Sequence, residues 1–187
     1  MLLCFVLVDR EAMGAMSEIG QAVLDAIRER RSIRQFLDEP LAAGDVGTIL
    51  EAARWAPSGL NNQPWRFAVV RDAAVKEKVA GQTRYGEIIR NAPVIIAVFL
   101  DLQESYDRTK DCQAVGACLQ NMWLAVHALG LGGVWIGEIL KNKEDVREIL
   151  DLPAHLELMA VMAIGHPRHR HQQSERKPLK ELVVKEL

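Results

Sequence analysis

The stretch from Asp111 to Leu129 restricts this chain more than any other feature. Apolar residues fall on most of its faces, at Val115, Leu119, Met122, Trp123 and Val126. Asp111 can cap such a helix, and Gly130 can end it. At about 1.5 Å per residue it spans roughly 27 Å, a domain's width. A helix that is apolar nearly all round must be buried nearly all round. The second constraint is Val94 to Leu100, a continuous apolar run rich in β-branched residues. It reads as a central strand covered on both faces.

Weaker periodicities fill in the rest. Ser17 can cap a helix in which Ile19, Val23 and Ile27 repeat every four residues, to about Arg30. A second helix starts at Asp45, carries Val46, Ile49, Leu50 and Ala53 on its apolar face, and ends before Pro57. Pro57 to Pro64 is a loop of turn-forming residues. Phe67–Val70, Val134–Ile136 and Leu156–Ile164 read as strands, and Ala73–Ala80 and Lys143–Leu150 as helices. From Pro167 to Leu179 the chain is polar and lacks periodicity. The pattern predicts one α+β domain over residues 16–187, richer in helices than in strands.

Residues 1–15 read as an N-terminal extension, with a short extra strand as the alternative. Their MLLCFVLV run is too short to cross a bilayer, and Asp9 and Glu11 follow it where a signal peptide carries no acid. The 187 residues suffice for one ordinary core. A net charge of −2 offers nothing to nucleic acid or to an anionic membrane. Cys4, Cys112 and Cys118 form no CxxC or zinc pattern, which fits a reducing cytoplasm.

Two segments carry chemistry. Arg30-Arg31-Ser32-Ile33-Arg34 sets three guanidinium groups and a hydroxyl after a helix. Guanidinium forks bind two phosphate oxygens at once. The alternative is a solvated helix end whose cations complement the dipole. Ala56-Pro57-Ser58-Gly59-Leu60-Asn61-Asn62-Gln63-Pro64-Trp65 offers amides and a hydroxyl between prolines, partners that a flavin ring needs, or else a plain surface loop. His166, His169 and His171 lie close together, but at spacings of no regular zinc motif. They read as a basic loop, with no metal site.

RRSIRQF followed by APSGLNNQPWRF resembles the nitroreductase family of flavoproteins. NAPVIIAVF, DCQAVGACLQNMWLAVHALGLGGVWIG, and AIGHP with ERKPLKELV resemble later parts of that family, in order. The resemblance runs from about Ser17 to Val184. It implies a central, mostly antiparallel sheet flanked by helices, in an intertwined homodimer with one FMN at each of two interface clefts. It also implies electrons from NADH or NADPH, passed through flavin N5 to a small acceptor such as a nitroaromatic or quinone. The alternatives are an FMN-binding module without turnover, or dehalogenation or flavin fragmentation on the same fold.

By resemblance, Arg30 and Ser32 contact the phosphate and ribityl end, and Arg34 lies near N1 and the O2 carbonyl. Arg31 matches a position that uses its backbone. Pro57, Ser58, Gly59, Asn61 and Gln63 match a loop reaching over from the partner subunit, with Trp65 in the core. Trp135, Ile136 and Gly137 match the strand end against one flavin face, with the Gly137 amide toward N5. Many members have Pro-Ile-Glu-Gly here where this chain has Trp-Ile-Gly-Glu, which leaves Glu138 either a substrate group or an ordinary strand-end carboxylate. Arg176 matches the C-terminal residue that closes on the phosphate. No side chain is assigned as a catalytic acid, base or nucleophile.

Overall fold

The computed structural model describes residues 17–187, and the expected extension lies outside them. The chain divides into two compact units, Met1–Arg30 and Arg31–Leu187. The described part of the first is helix α1, Glu18–Glu29, capped by the Ser17 hydroxyl, which accepts from the Gly20 amide at 3.1 Å. Its apolar residues Ile19, Val23 and Ile27 are all exposed.

The second unit is built on four strands: β1 (Trp65–Val70), β2 (Val94–Asp101), β3 (Gly132–Ile136) and β4 (Leu156–Gly165). They lie in the order β1-β2-β4-β3, every pair antiparallel. β2 is buried at every position, as its unbroken apolar sequence requires. One face of the sheet packs on α2 (Asp45–Arg54) and α5 (Arg108–Ala128). The other face packs on α3 (Ala73–Ala80), α4 (Gly86–Asn91) and α6 (Lys143–Ile149). A last turn of helix, α7, covers Leu179–Leu182. No helix among the described residues is long and apolar enough to cross a membrane.

The long helix starts earlier than its sequence suggests. Asp107, not Asp111, is its N-cap and accepts from the Lys110 amide at 3.0 Å. Asp111 sits one turn inside and is fully buried. The α4 helix and the 3-10 turn at Glu138–Asn142 were not readable as periodic segments, because each spans under two turns.

β3 has a free edge, and the chain after Arg31 lies along it. Ser32 bridges Gly133 in parallel register, and the Ile33 amide donates to the Gly133 carbonyl at 3.0 Å. The close approach requires Gly132, since a Cβ there would lie 2.7 Å from Ile33 Cγ2.

Candidate functional site

Most of the predicted residues fall into two groups on opposite edges of the sheet. The first gathers on β3. Ser32 is held against Gly133, and Arg31 and Ser32 are half-buried while Arg34 is exposed. Val134 and Ile136 point into the core, so the alternation of the strand turns Trp135 outward, 36% exposed. Gly137 follows at the strand end, also exposed, with the Trp135 indole Nε1 3.9 Å from where its Cβ would be. Planar ring, hydroxyl and exposed backbone thus share one edge.

Glu138 fastens the neighbouring turn to this strand end. It accepts from the Thr83 hydroxyl at 2.6 Å and the Arg84 amide at 3.2 Å, and pairs with Lys141 at 2.6 Å. Bonds from Lys141 and Thr83 hold its carboxyl down at about 2. It is a latch, which favours a structural reading of this residue over a substrate group.

The second group is the loop before β1, at the far edge. Because Trp65 pairs with Leu100 while Ile136 pairs with Val161, the loop also lies at the far end of the sheet from Gly132. Three strand spacings alone separate the two edges by roughly 14 Å. Leu60, Asn61 and Gln63 have φ of 55°, 56° and 47°, left-handed values that cost a non-glycine residue about 1 kcal/mol or more each. Such strain persists only where surroundings over-determine it. Here the Ser58 hydroxyl accepts from the Gln63 amide at 3.0 Å, and Arg66 donates to the Gln63 carbonyl at 3.1 Å while pairing with Asp101 at 2.8 Å. Asn62 donates to Asp111 at 2.8 Å and to the Glu104 carbonyl at 3.0 Å. Pro57, Ser58 and Gly59 line a cavity of about 330 Å³ with Tyr106, Lys110 and Gln113. Pinned from behind, the loop presents exposed Leu60 and Asn61 outward.

Asp111 is the hub behind this loop. One oxygen accepts from the Ser105 hydroxyl at 2.7 Å and from the Tyr106 and Asp107 amides at 3.0 and 3.1 Å, and the other from Asn62. Burial alone would raise its pKa, but these bonds outweigh it and hold the carboxyl below the usual aspartate value. The sequence alone marks Asp111 as a helix cap and points to Asn61 rather than Asn62.

Arg176 is exposed in the C-terminal segment and donates to the Glu175 carbonyl at 2.8 Å. Arg30 closes the first unit, as the residue after α1.

The model of the nitroreductase family matches residues 27–84 and 79–166. The chain belongs to the nitroreductase family. A protein of Methanothermobacter thermautotrophicus named as an NADH dehydrogenase/NAD(P)H nitroreductase is 36% identical over 152 residues, 78% of this chain and 77% of that protein. One of Archaeoglobus fulgidus with the same name is also 36% identical, over 78% of this chain and 85% of that protein. A protein of Desulfovibrio desulfuricans named as a nitroreductase and crystallised in complex with FMN superposes with a TM-score of 0.85. It is 51% identical and covers 88% of this chain and 96% of its own. Nitroreductase-family membership places the RRSIR segment and the β1 loop inside the matched residues, and leaves Arg176 beyond them.

Proposed function

We propose that this chain is an FMN-dependent oxidoreductase that works as a homodimer, fed by NADH or NADPH, in the cytoplasm. The observation that supports the dimer is the placement of two exposed, chemically complementary groups on opposite edges of one sheet. Two chains related by a two-fold axis can bring the β3 edge of one and the loop of the other onto one ring system. The exposed Ile19, Val23 and Ile27 of α1, and Leu179, Leu182, Val183 and Val184 near the C-terminus, offer apolar surface for such an association.

The donor set fits FMN. Guanidinium groups and a hydroxyl in RRSIR suit its phosphate and ribityl chain. An outward tryptophan and an exposed glycine at one strand edge suit a flat heteroaromatic ring. FMN bound there would supply two-electron redox chemistry between NAD(P)H and a small oxidised acceptor such as a nitroaromatic or quinone. Donor and acceptor would then react in turn, a ping-pong order.

The chain's own residues bind and orient. Arg30, Arg31, Ser32 and Arg176 hold the phosphate and ribityl end. Arg34 fixes a positive charge at the pyrimidine edge, which favours the reduced ring. Trp135, Ile136 and Gly137 form the wall at N5, with the Gly137 amide as donor. Pro57, Ser58, Gly59, Asn61 and Gln63 of the partner subunit close the other side. No acid–base side chain is needed, since solvent supplies protons.

Anaerobic titration with NADH and NADPH tests this reading. The purified protein should carry about one FMN per chain, sediment as a dimer, and lose its flavin absorbance within seconds of mixing. A colourless protein that rejects FMN sinks the proposal, and a yellow one that neither nucleotide bleaches reduces it to a flavin-binding module.

A further inference from the structure

Beside the flavin-implied residues lies a second polar cavity, of about 540 Å³, between α3, the end of α4 and the turn after β4. Arg34, Asp38, Lys76, Arg90 and Arg168 line it, while Ser32, Trp135 and Gly137 do not. The volume falls in the range of small-molecule sites.

Its walls are cationic in a way the fold does not itself consume. Lys76 is only 8% exposed, and its ammonium donates to the Ala92 carbonyl at 2.6 Å. That bond occupies one of three N–H groups. Burial pushes the Lys76 ammonium below the ordinary lysine range, and the Asp38 carboxylate only partly offsets this. Arg90 is taken up by Glu77 and Glu87, at 2.7 and 2.9 Å. Arg34 and Arg168 make no side-chain hydrogen bond or ion pair with a described residue. The Arg168 amide donates to the Gln35 carbonyl at 3.0 Å, and Phe36 bridges Pro167, so the backbone fixes both arginines at the rim of one cavity. The Arg168 guanidinium, which pairs with no described residue, the Arg34 guanidinium shared with the flavin-implied residues, and a buried ammonium therefore line one cavity with a single carboxylate, Asp38.

We infer that this cavity binds a small molecule through its phosphate or pyrophosphate group, at a site separate from that of FMN. Guanidinium forks match phosphate oxygens two at a time, and the ammonium adds a point charge at the floor. Arg34 is common to the cavity and to the flavin-implied residues, so the two sites share a wall. The phosphate can come from the adenylate half of the nicotinamide nucleotide or from a free organic phosphate.

Calorimetric titration of the FMN-loaded protein with pyrophosphate tests the inference, in wild type, Arg168→Gln and Lys76→Gln. Wild type should bind one pyrophosphate per chain, and each substitution should weaken binding roughly tenfold to a hundredfold, the range for one charge-assisted bond. Flavin content should not change in Arg168→Gln, which separates this inference from the flavin reading. Should Lys76→Gln fail to fold, Arg168→Gln alone decides. A raised KM for both nucleotides in Arg168→Gln identifies the pyrophosphate of the adenylate half, a raised KM for NADPH alone identifies its extra phosphate, and unchanged KM values with weakened pyrophosphate binding identify a free phosphate compound. Absence of pyrophosphate binding, equal binding in wild type and Arg168→Gln, or release of FMN by pyrophosphate would overturn it.

Discussion

Replacing Asp111 with asparagine keeps the shape of a buried hub and removes its charge. The single remaining oxygen can still accept from Ser105, Tyr106 and Asp107, but the new amide then faces the Asn62 amide, donor to donor. Asn62 could turn its own buried oxygen, which has no partner among the described residues, toward position 111. Doing so surrenders its bond to the Glu104 carbonyl. Either way one bond to a charged group is lost, at a cost of about 1.5–3 kcal/mol. For a chain of this length each kcal/mol moves Tm by about 2–4 °C, so thermal unfolding of Asp111→Asn should come roughly 3–12 °C early. FMN affinity should fall as well, because Asn62 anchors the strained loop. The pH dependence gives an independent check. A carboxyl held below its ordinary value contributes stability that is complete above about pH 4 and is lost as pH falls through the lower folded value. The gap in Tm between wild type and Asp111→Asn should therefore be widest near neutrality and shrink in acid. A variant that melts within about a degree of wild type at pH 7, or a gap that is constant down to acid pH, would refute the hub.

Glu138→Gln should loosen the turn at Thr83 and Arg84. Since the Glu138 carboxyl is held down at about 2, wild type should lose this latch only as pH falls from about 4.5 toward 2, and the variant's hydrogen exchange in residues 82–86 should be raised already at pH 7. Gly132→Ala should push Ile33 off β3, costing about 1–3 kcal/mol by overpacking; wild-type stability in a urea titration would show that the segment's approach is not tight. Arg176→Ala should weaken FMN binding by about 1.5–3 kcal/mol, read from the FMN dissociation constant, and an unchanged constant moves the role to Lys177. Arg34→Gln should lower the midpoint potential of bound FMN while FMN affinity falls less than in Arg176→Ala; an unchanged potential with the flavin stripped off would make Arg34 a phosphate ligand.

The elements that the sequence made legible are those whose burial is one-sided or total. β2 declares itself because no partially solvated strand could carry Val94–Leu100, whereas the long helix, expected to be buried nearly all round, is buried along the single stripe Ala114, Val115, Cys118, Leu119, Met122 and Val126, with Trp123 only half-buried. Trp65 is buried as expected, although its strand begins two residues before Phe67. Short pieces held by tertiary contacts left no periodic trace, α4 and the 3-10 turn after Gly137 among them. The same holds for the polar hubs. Asp111 in a first helical turn looks like a cap until the chain before it folds back and supplies four donors. Thr83 and Glu138 stand far apart in sequence, and nothing local announces their bond. Lys76 sits among charged neighbours in KEK and reads as solvated, yet it is buried, with its ammonium bonded to the Ala92 carbonyl. The flavin-implied residues were legible by resemblance rather than by physics, since the two groups become meaningful only when a second subunit is supplied.

The split of the two groups between opposite edges of the sheet has a genetic consequence. In the proposed dimer each cleft takes its β3 edge from one subunit and its strained loop from the other. A chain with a ruined loop and a chain with a ruined RRSIR segment would each be inactive alone. Paired with one another, they would place both defects in one cleft and leave the second cleft wholly wild type. Co-expression of two dead alleles would then restore up to half the activity per mixed dimer, and loss-of-function alleles of such a gene would sort into two complementing classes, one for each edge of the sheet.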